Sequence, residues 1–174
     1  MLLYALIILI PTIAAQNAAA PSGLDRLNSF IGRWEGTTDG QPGSGTVTRE
    51  YVFALNSRFI RAVNRSEYPA QPKNPKGEVH QDEGFFSFDR ARKRLVLRQF
   101  HVERFVIQYL EDPGASSASK LVFTSESIEN TPAGYRARET YLVHGPDEIE
   151  EVFELAAADK PFEVYSRTRL KRVK

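Results

Sequence analysis

Few residues of this chain carry side chains that do chemistry at neutral pH. The 174 residues include three His and no Cys, which excludes disulfides, thiol catalysis and cysteine-ligated metals. Motifs of serine hydrolases, zinc peptidases and nucleotide-binding loops are also missing. What remains is a set of polar side chains inside strand-like apolar segments, where each faces either water or an interior ligand. The candidates for ligand binding are His80, Arg98, Gln99, Arg138, Tyr165 and Arg167.

Two of these candidates form the strongest pair. Tyr165 and Arg167 are two residues apart on the last strand-like segment, so their side chains share a face. A guanidinium and a phenol hydroxyl together suit an anion or the polar head of a ligand. The alternative is that Arg167 and Arg169 form a solvated cationic edge that discourages strand addition.

A metal site involving His101 and Glu103 is a weaker hypothesis. These two residues would share a face of one strand, but a hairpin is expected near Glu103 and Arg104, which would place both at an exposed tip. Two ligands without a third make a poor site.

The elements that must position these side chains are strands. Hydrophobic residues alternate with period two from Arg33 to the C-terminus, in roughly ten segments separated by Gly, Pro, Asn and Asp. No separator is long enough for a crossover helix, so consecutive strands are expected to pair antiparallel. Closure would remove the two edges of such a sheet, which predicts an all-β, ten-stranded up-and-down barrel with an interior cavity.

The N-terminal segment has a different character. Leu2 to Ile10 is apolar and uncharged, and small residues follow Pro11, which is typical of a cleaved signal peptide over residues 1–20. We therefore expect a secreted or periplasmic protein with a single barrel domain over residues 22–174 and no membrane span after cleavage.

A short helix is expected directly after this segment. Helical spacing relates the apolar residues Leu24, Leu27, Phe30 and Ile31, and Ser22 can cap the helix that they predict. We expect this helix to plug one end of the barrel.

The net charge of the chain is +1, which argues against nucleic acid as a partner.

Two motifs occur in order along the chain. Residues 32–36 read G-x-W-x-G, and residues 80–85 read H-x-acid-x-G-aromatic. This combination resembles the nitrobindin family and, more loosely, the fatty-acid-binding barrels of the calycin group. The resemblance implies a ten-stranded antiparallel barrel in which Trp34 forms part of the wall or floor and His80 lies in the ligand cavity.

The same resemblance raises the question of haem. Nitrobindins bind haem iron through a His on the last strand, but residues 164–172 here contain none. Tyr165 is the nearest candidate, since a tyrosinate can ligate haem iron and Arg167 would lower its pKa.

Three functions follow from this sequence. The preferred one is binding of a small hydrophobic or amphipathic molecule inside a secreted barrel that is not an enzyme. The first alternative is a haem protein of nitrobindin type that acts on nitric oxide or peroxynitrite, as a haem-dependent peroxynitrite isomerase would. The second is a filled barrel that serves as an interaction module.

Overall fold

A computed structural model describes residues 23–174, which form one antiparallel barrel of ten strands. The predicted signal peptide and the predicted cap Ser22 lie outside the described residues. The strands are β1 (Gly32–Gly40), β2 (Gly43–Ala54), β3 (Phe59–Tyr68), β4 (Glu78–Asp89), β5 (Arg94–His101), β6 (Val106–Glu111), β7 (Lys120–Glu129), β8 (Arg136–Gly145), β9 (Glu148–Ala156) and β10 (Glu163–Arg172).

The predicted closure of the sheet is confirmed. Each strand pairs with the next along the chain, and β1 closes the barrel against β10 over seven register pairs from Trp34–Arg172 to Gly40–Ser166. Closure leaves every strand with two neighbours, so no backbone edge remains for another chain. Successive side chains therefore alternate between the interior and the outer face.

A short helix occupies one end of the barrel. The helical spacing predicted a short helix, and the structure has a 3₁₀ helix at Asp25–Phe30. Six residues suffice because Leu24, Leu27 and Phe30 are fully buried, so tertiary contacts rather than helix length stabilise this segment. The predicted plug is thus present, and we call this side the closed end. No helix among residues 23–174 is long and apolar enough to span a membrane.

The closed half of the interior is filled with side chains. The ring of Phe30 meets those of Tyr51 and Tyr141 edge-on at 5.4 and 5.5 Å between centroids, and Phe86 lies 6.0 Å from Tyr141. Such aromatic pairs contribute about 0.5–1.5 kcal/mol beyond burial alone. The expectation of a cavity therefore does not hold for this half, and any ligand must bind towards the opposite, open end.

Candidate functional site

A row of polar side chains crosses the middle of the barrel on four adjacent strands. Arg49 on β2, Asn64 on β3, Asp82 on β4 and His101 on β5 are consecutive register partners. They face the interior because they share parity with core residues of their own strands, such as Tyr51. This polar row lies just above the aromatic core.

Hydrogen bonds link most of the polar row to the opposite wall. Arg49 donates to Asn64 Oδ1 through Nε at 3.2 Å, and its Nη1 pairs with the carboxylate of Glu151 on β9. The Asn64 amide donates in turn to Asp82 Oδ2 at 2.7 Å. Arg49 and Glu151 are 9% and 5% exposed, so the pair is held away from water, where unpaired charges would be costly.

The same chain of contacts continues to the open end through His80. Its Nε2 lies 3.3 Å from Asp82 Oδ2, and its Nδ1 lies 2.8 Å from Glu103 Oε1 in the β5–β6 loop. Burial lowers the pKa of His80, but hydrogen bonds to Asp82 and Glu103 outweigh it and raise that pKa to about 9. Burial and the neighbouring His80 lower the pKa of His101. His80 is therefore the cation of this group at neutral pH.

Several buried polar atoms of the interior have no hydrogen-bond partner in the described part of the chain. They include Gln99 Oε1, Tyr109 Oη, Glu139 Oε2 and His101 Nε2. A buried polar atom left without a partner costs about 1–3 kcal/mol. Because these atoms share the interior face with the polar row, a bound molecule or water at mid-barrel would satisfy them.

Glu139 has the least favourable surroundings of the interior carboxyls. Burial raises its pKa well above the ordinary value, and the negative charge of Glu151 raises it further. The raised pKa therefore favours the neutral, protonated form of Glu139 in the folded protein.

The protonation of Glu139 predicts a specific pH dependence of stability. The unfolded chain loses this proton near pH 4.5, whereas the folded chain keeps it, so stability falls as the pH rises above that value. We expect this contribution to change by about 1.4 kcal/mol per pH unit until Glu139 ionises in the fold. In urea titrations at pH 5 to 8, Glu139→Gln should therefore gain stability relative to the unmodified protein as the pH rises. Exposed Glu129→Gln is the control, and parallel curves for all three proteins would contradict the assignment.

The walls nearer the open end are apolar. Ile128 on β7 and Phe153 and Leu155 on β9 are half-buried and contact the edge of the core. Tyr165 lies in a bulge of β10, with its ring 5.6 Å from that of Phe153. The open half thus combines a polar floor with apolar sides that solvent reaches.

The structure brings three of the predicted binding residues to this region. Gln99 is buried and inward-facing, and His80 and Tyr165 are half-buried near the open end. Trp34 faces inward but lies in the filled half, where its Nε1 donates to the Phe30 carbonyl at 2.7 Å. Trp34 is therefore a core residue next to the helix.

The three predicted arginines lie on the outer face of the barrel. Arg98 donates to Gln108 at 3.0 Å, and Arg138 makes a two-pronged pair with Glu154 at 2.6 Å for each contact. The side chain of Arg167 is 53% exposed. All three have the parity opposite to buried neighbours on their strands, so they do not line the interior.

The surroundings of Tyr165 do not fit a haem-iron ligand. Arg167 was predicted to lower its pKa, but the bulge at Val164–Ser166 separates the two side chains, and that prediction is wrong. Burial and the carboxylates of Glu78 and Glu103 raise the pKa of Tyr165, so the phenol stays neutral. A neutral phenol is a poor donor to iron, so the residues around Tyr165 do not fit haem.

The sequence reasoning missed Arg49, Asn64, Glu139 and Glu151. Each of the four is a polar residue at a position where the alternation of its strand calls for an apolar, inward-facing side chain. That exception to the pattern is the signal by which the sequence could have identified them. Arg49 is the polar exception among the residues of its parity, Val47, Tyr51 and Phe53, but the sequence does not show which face of the other strands is the inward one.

One solved structure supports the fold. No family model matches the chain, and no curated protein matches it. The crystal structure of Rv2717c from M. tuberculosis is similar, with a TM-score of 0.64 and 14% identity over 90% of this chain and all of that one. A de novo designed fluorescence-activating β-barrel has a TM-score of 0.45 and 13% identity over 86% of this chain and 98% of that one. Membership of the nitrobindin or calycin barrels stays a prediction.

Proposed function

We propose that this protein binds one small, uncharged amphipathic molecule in the open half of its barrel. The observation that carries the proposal is the set of buried interior atoms without partners, Gln99 Oε1, Tyr109 Oη and Glu139 Oε2, next to a half-open apolar wall. A ligand whose polar head reaches these atoms and whose apolar body contacts Phe153 and Leu155 would satisfy both surfaces.

The charges of the interior favour a neutral head group. Arg49 is already paired with Glu151, and the cation of His80 is already held by Asp82 and Glu103. No unpaired interior cation therefore remains among the described residues to receive a carboxylate. Gln99 Oε1 accepts a hydrogen bond and Tyr109 Oη donates or accepts one, which suits an alcohol or an amide.

We also propose that binding takes place outside the cytoplasm. The support for this is the apolar segment Leu2–Ile10 and the small residues that follow it, which are typical of a secretory signal.

The test is displacement of a lipophilic fluorescent dye by ligands that share one alkyl chain and differ in the head group. We expect the alcohol and the amide to bind at least about tenfold more tightly than the carboxylate, because burying an unpaired anion is costly. Leu155→Trp should weaken binding of the alcohol at least about tenfold by filling the open half. The matched control is Leu142→Trp, which places the same ring on the outer face of β8 and should leave affinity unchanged.

Two results would overturn the proposal. One is no saturable displacement by any head group. The other is equal weakening by Leu155→Trp and Leu142→Trp, since a ligand on the outer surface would not distinguish the two faces.

A further inference from the structure

We infer that His80, Asp82 and His101 form a binding site for one divalent transition-metal ion at the open side of the polar row. The inference does not depend on the amphipathic ligand. It rests on the register, the distances and the hydrogen bonds of these three side chains.

The register of β4 and β5 assembles the three ligands. Asp82 and His101 are direct partners across the two strands, and His80 lies two residues before Asp82 on the same face. Antiparallel partners and i, i+2 neighbours are the closest positions that one face of a sheet offers. Two histidines and a carboxylate therefore converge without any loop having to move.

The distances suit a single ion. One donor atom from each of the three side chains lies within 4.8 Å of the others, and His80 Nε2 is 3.3 Å from Asp82 Oδ2. Tetrahedral bonds of about 2.0–2.2 Å to a zinc-like ion put two donors about 3.3–3.6 Å apart. The His80–Asp82 pair already has this separation, and the His101 donor must approach by at most about 1.5 Å to complete the set.

The outer partners of the ligands are also in place. Glu103 Oε1 lies 2.8 Å from His80 Nδ1, which leaves Nε2 of the same ring facing Asp82. Asn64 donates to Asp82 Oδ2 at 2.7 Å and fixes that carboxylate. In metal sites, a carboxylate that hydrogen-bonds to a ligating histidine, or an amide that hydrogen-bonds to a ligating aspartate, orients that ligand towards the ion.

His101 distinguishes a metal site from a purely structural hydrogen-bond cluster. Its Nε2 is buried and has no hydrogen-bond partner in the described residues, although the His80 ring is only 5.5 Å away between centroids. Hydrogen bonds account for the cationic His80 and for Asp82 without an ion, so a bound metal must displace the Nε2 proton of His80, which is released to water. The same hydrogen bonds leave the His101 nitrogen unused. In the tautomer that carries its proton on Nδ1, His101 presents an Nε2 lone pair, which is the donor that zinc, iron, cobalt or copper ions prefer.

The proposed site has an open coordination position. Three protein ligands leave at least one place for water or a bound molecule, as in metal sites that do chemistry rather than support the fold. Two histidines and one carboxylate suit first-row divalent ions, whereas Mg²⁺ and Ca²⁺ prefer oxygen ligands alone.

The experiment uses the full chain without a histidine tag, titrated with Co²⁺ and with Zn²⁺ at pH 7.5. We expect one ion per chain, visible-region Co²⁺ absorption that Zn²⁺ abolishes, and no competition by Mg²⁺. His101→Ala and Asp82→Asn should each weaken Zn²⁺ binding at least about 100-fold. Glu103→Gln should weaken it by about 10- to 100-fold, since it removes only an outer contact.

The chain supplies its own control. His144→Ala removes the third histidine, which is exposed on β8 away from the site, and should leave the affinity for Zn²⁺ unchanged. Far-UV circular dichroism and melting temperatures of each variant without metal separate loss of the site from loss of the fold. Asp82→Asn is the most conservative of these changes in shape.

The inference fails if the folded protein binds no Zn²⁺ or Co²⁺ at submillimolar concentrations. It also fails if His144→Ala weakens binding as much as His101→Ala, because the ion would then lie on the surface. Alkyl-ligand binding with no metal binding would overturn this inference and leave the proposed function standing.

Discussion

Replacing Arg49 by Ala is expected to destabilise the protein by about 3–5 kcal/mol, because it leaves a charged carboxylate buried without a partner. Glu151 is 5% exposed and has Arg49 as its ion-pair partner, while the neighbouring Glu139 is already held neutral. Removal of the guanidinium also frees Asn64 Oδ1, which accepts two of its hydrogen bonds. The free energy of unfolding from urea titrations measures the loss.

A surface pair provides the matched comparison for Arg49→Ala. Arg61 and Glu83 make a similar contact across β3 and β4, but each side chain is 41% exposed. We expect Arg61→Ala to cost at most about 1 kcal/mol, because water solvates the carboxylate that remains.

Replacing both members of the buried pair separates the cost of an orphaned charge from the cost of lost packing. The double change Arg49→Leu and Glu151→Leu should recover at least half of the loss seen in Arg49→Ala. Equal effects of Arg49→Ala and Arg61→Ala would contradict the account of the buried pair.

Replacing Gly36 by Ala is expected to cost about 3 kcal/mol, the upper part of the range for overpacked interiors. A Cβ at Gly36 would lie 1.8 Å from the carbonyl oxygen of Arg169 and 3.0 Å from the Cα of Leu170. Both atoms belong to the backbone of β10, so no side chain can move aside, and the strands that close the barrel must separate. Urea titration with near-UV circular dichroism measures the stability and the packing of the aromatic core.

Gly84→Ala is the control for this substitution. Gly84 also lies within a strand, but its nearest contact for a Cβ is the Arg98 carbonyl oxygen at 3.1 Å. We expect a cost of about 1 kcal/mol there, since a small shift suffices. If Gly36→Ala were no more destabilising than Gly84→Ala, the tight approach of β1 to β10 would not explain the glycine of the G-x-W-x-G motif.

The fold was largely predictable because its signals are local. Alternation of period two and the Gly, Pro and Asn turns specify strands and hairpins over windows of about ten residues. The hairpin near Glu103 and Arg104 was predicted and is confirmed, since β5 ends at His101 and β6 begins at Val106. The short helix was also predicted from its spacing, whereas its 3₁₀ geometry is set by the burial of Leu24, Leu27 and Phe30.

The candidate site was predictable only in part, for a different reason. His80 and Gln99 were expected inside and lie there, whereas Arg98, Arg138 and Arg167 lie outside. A shift of one residue in parity moves every side chain of a strand to the other face. The bulge at Val164–Ser166 makes such a shift, so Tyr165 and Arg167 do not share a face despite their spacing.

By itself the sequence determined a ten-stranded antiparallel barrel with a plugged end, since short-range hydrophobic patterning and turn chemistry are sufficient for that. The tertiary structure alone decided which charges meet. Arg49 and Glu151 are 102 residues apart, and His101 reaches Asp82 through the register of two strands. Closure and register set those distances, and the energy of a buried charge depends on what lies within a few ångströms of it rather than on its neighbours along the chain.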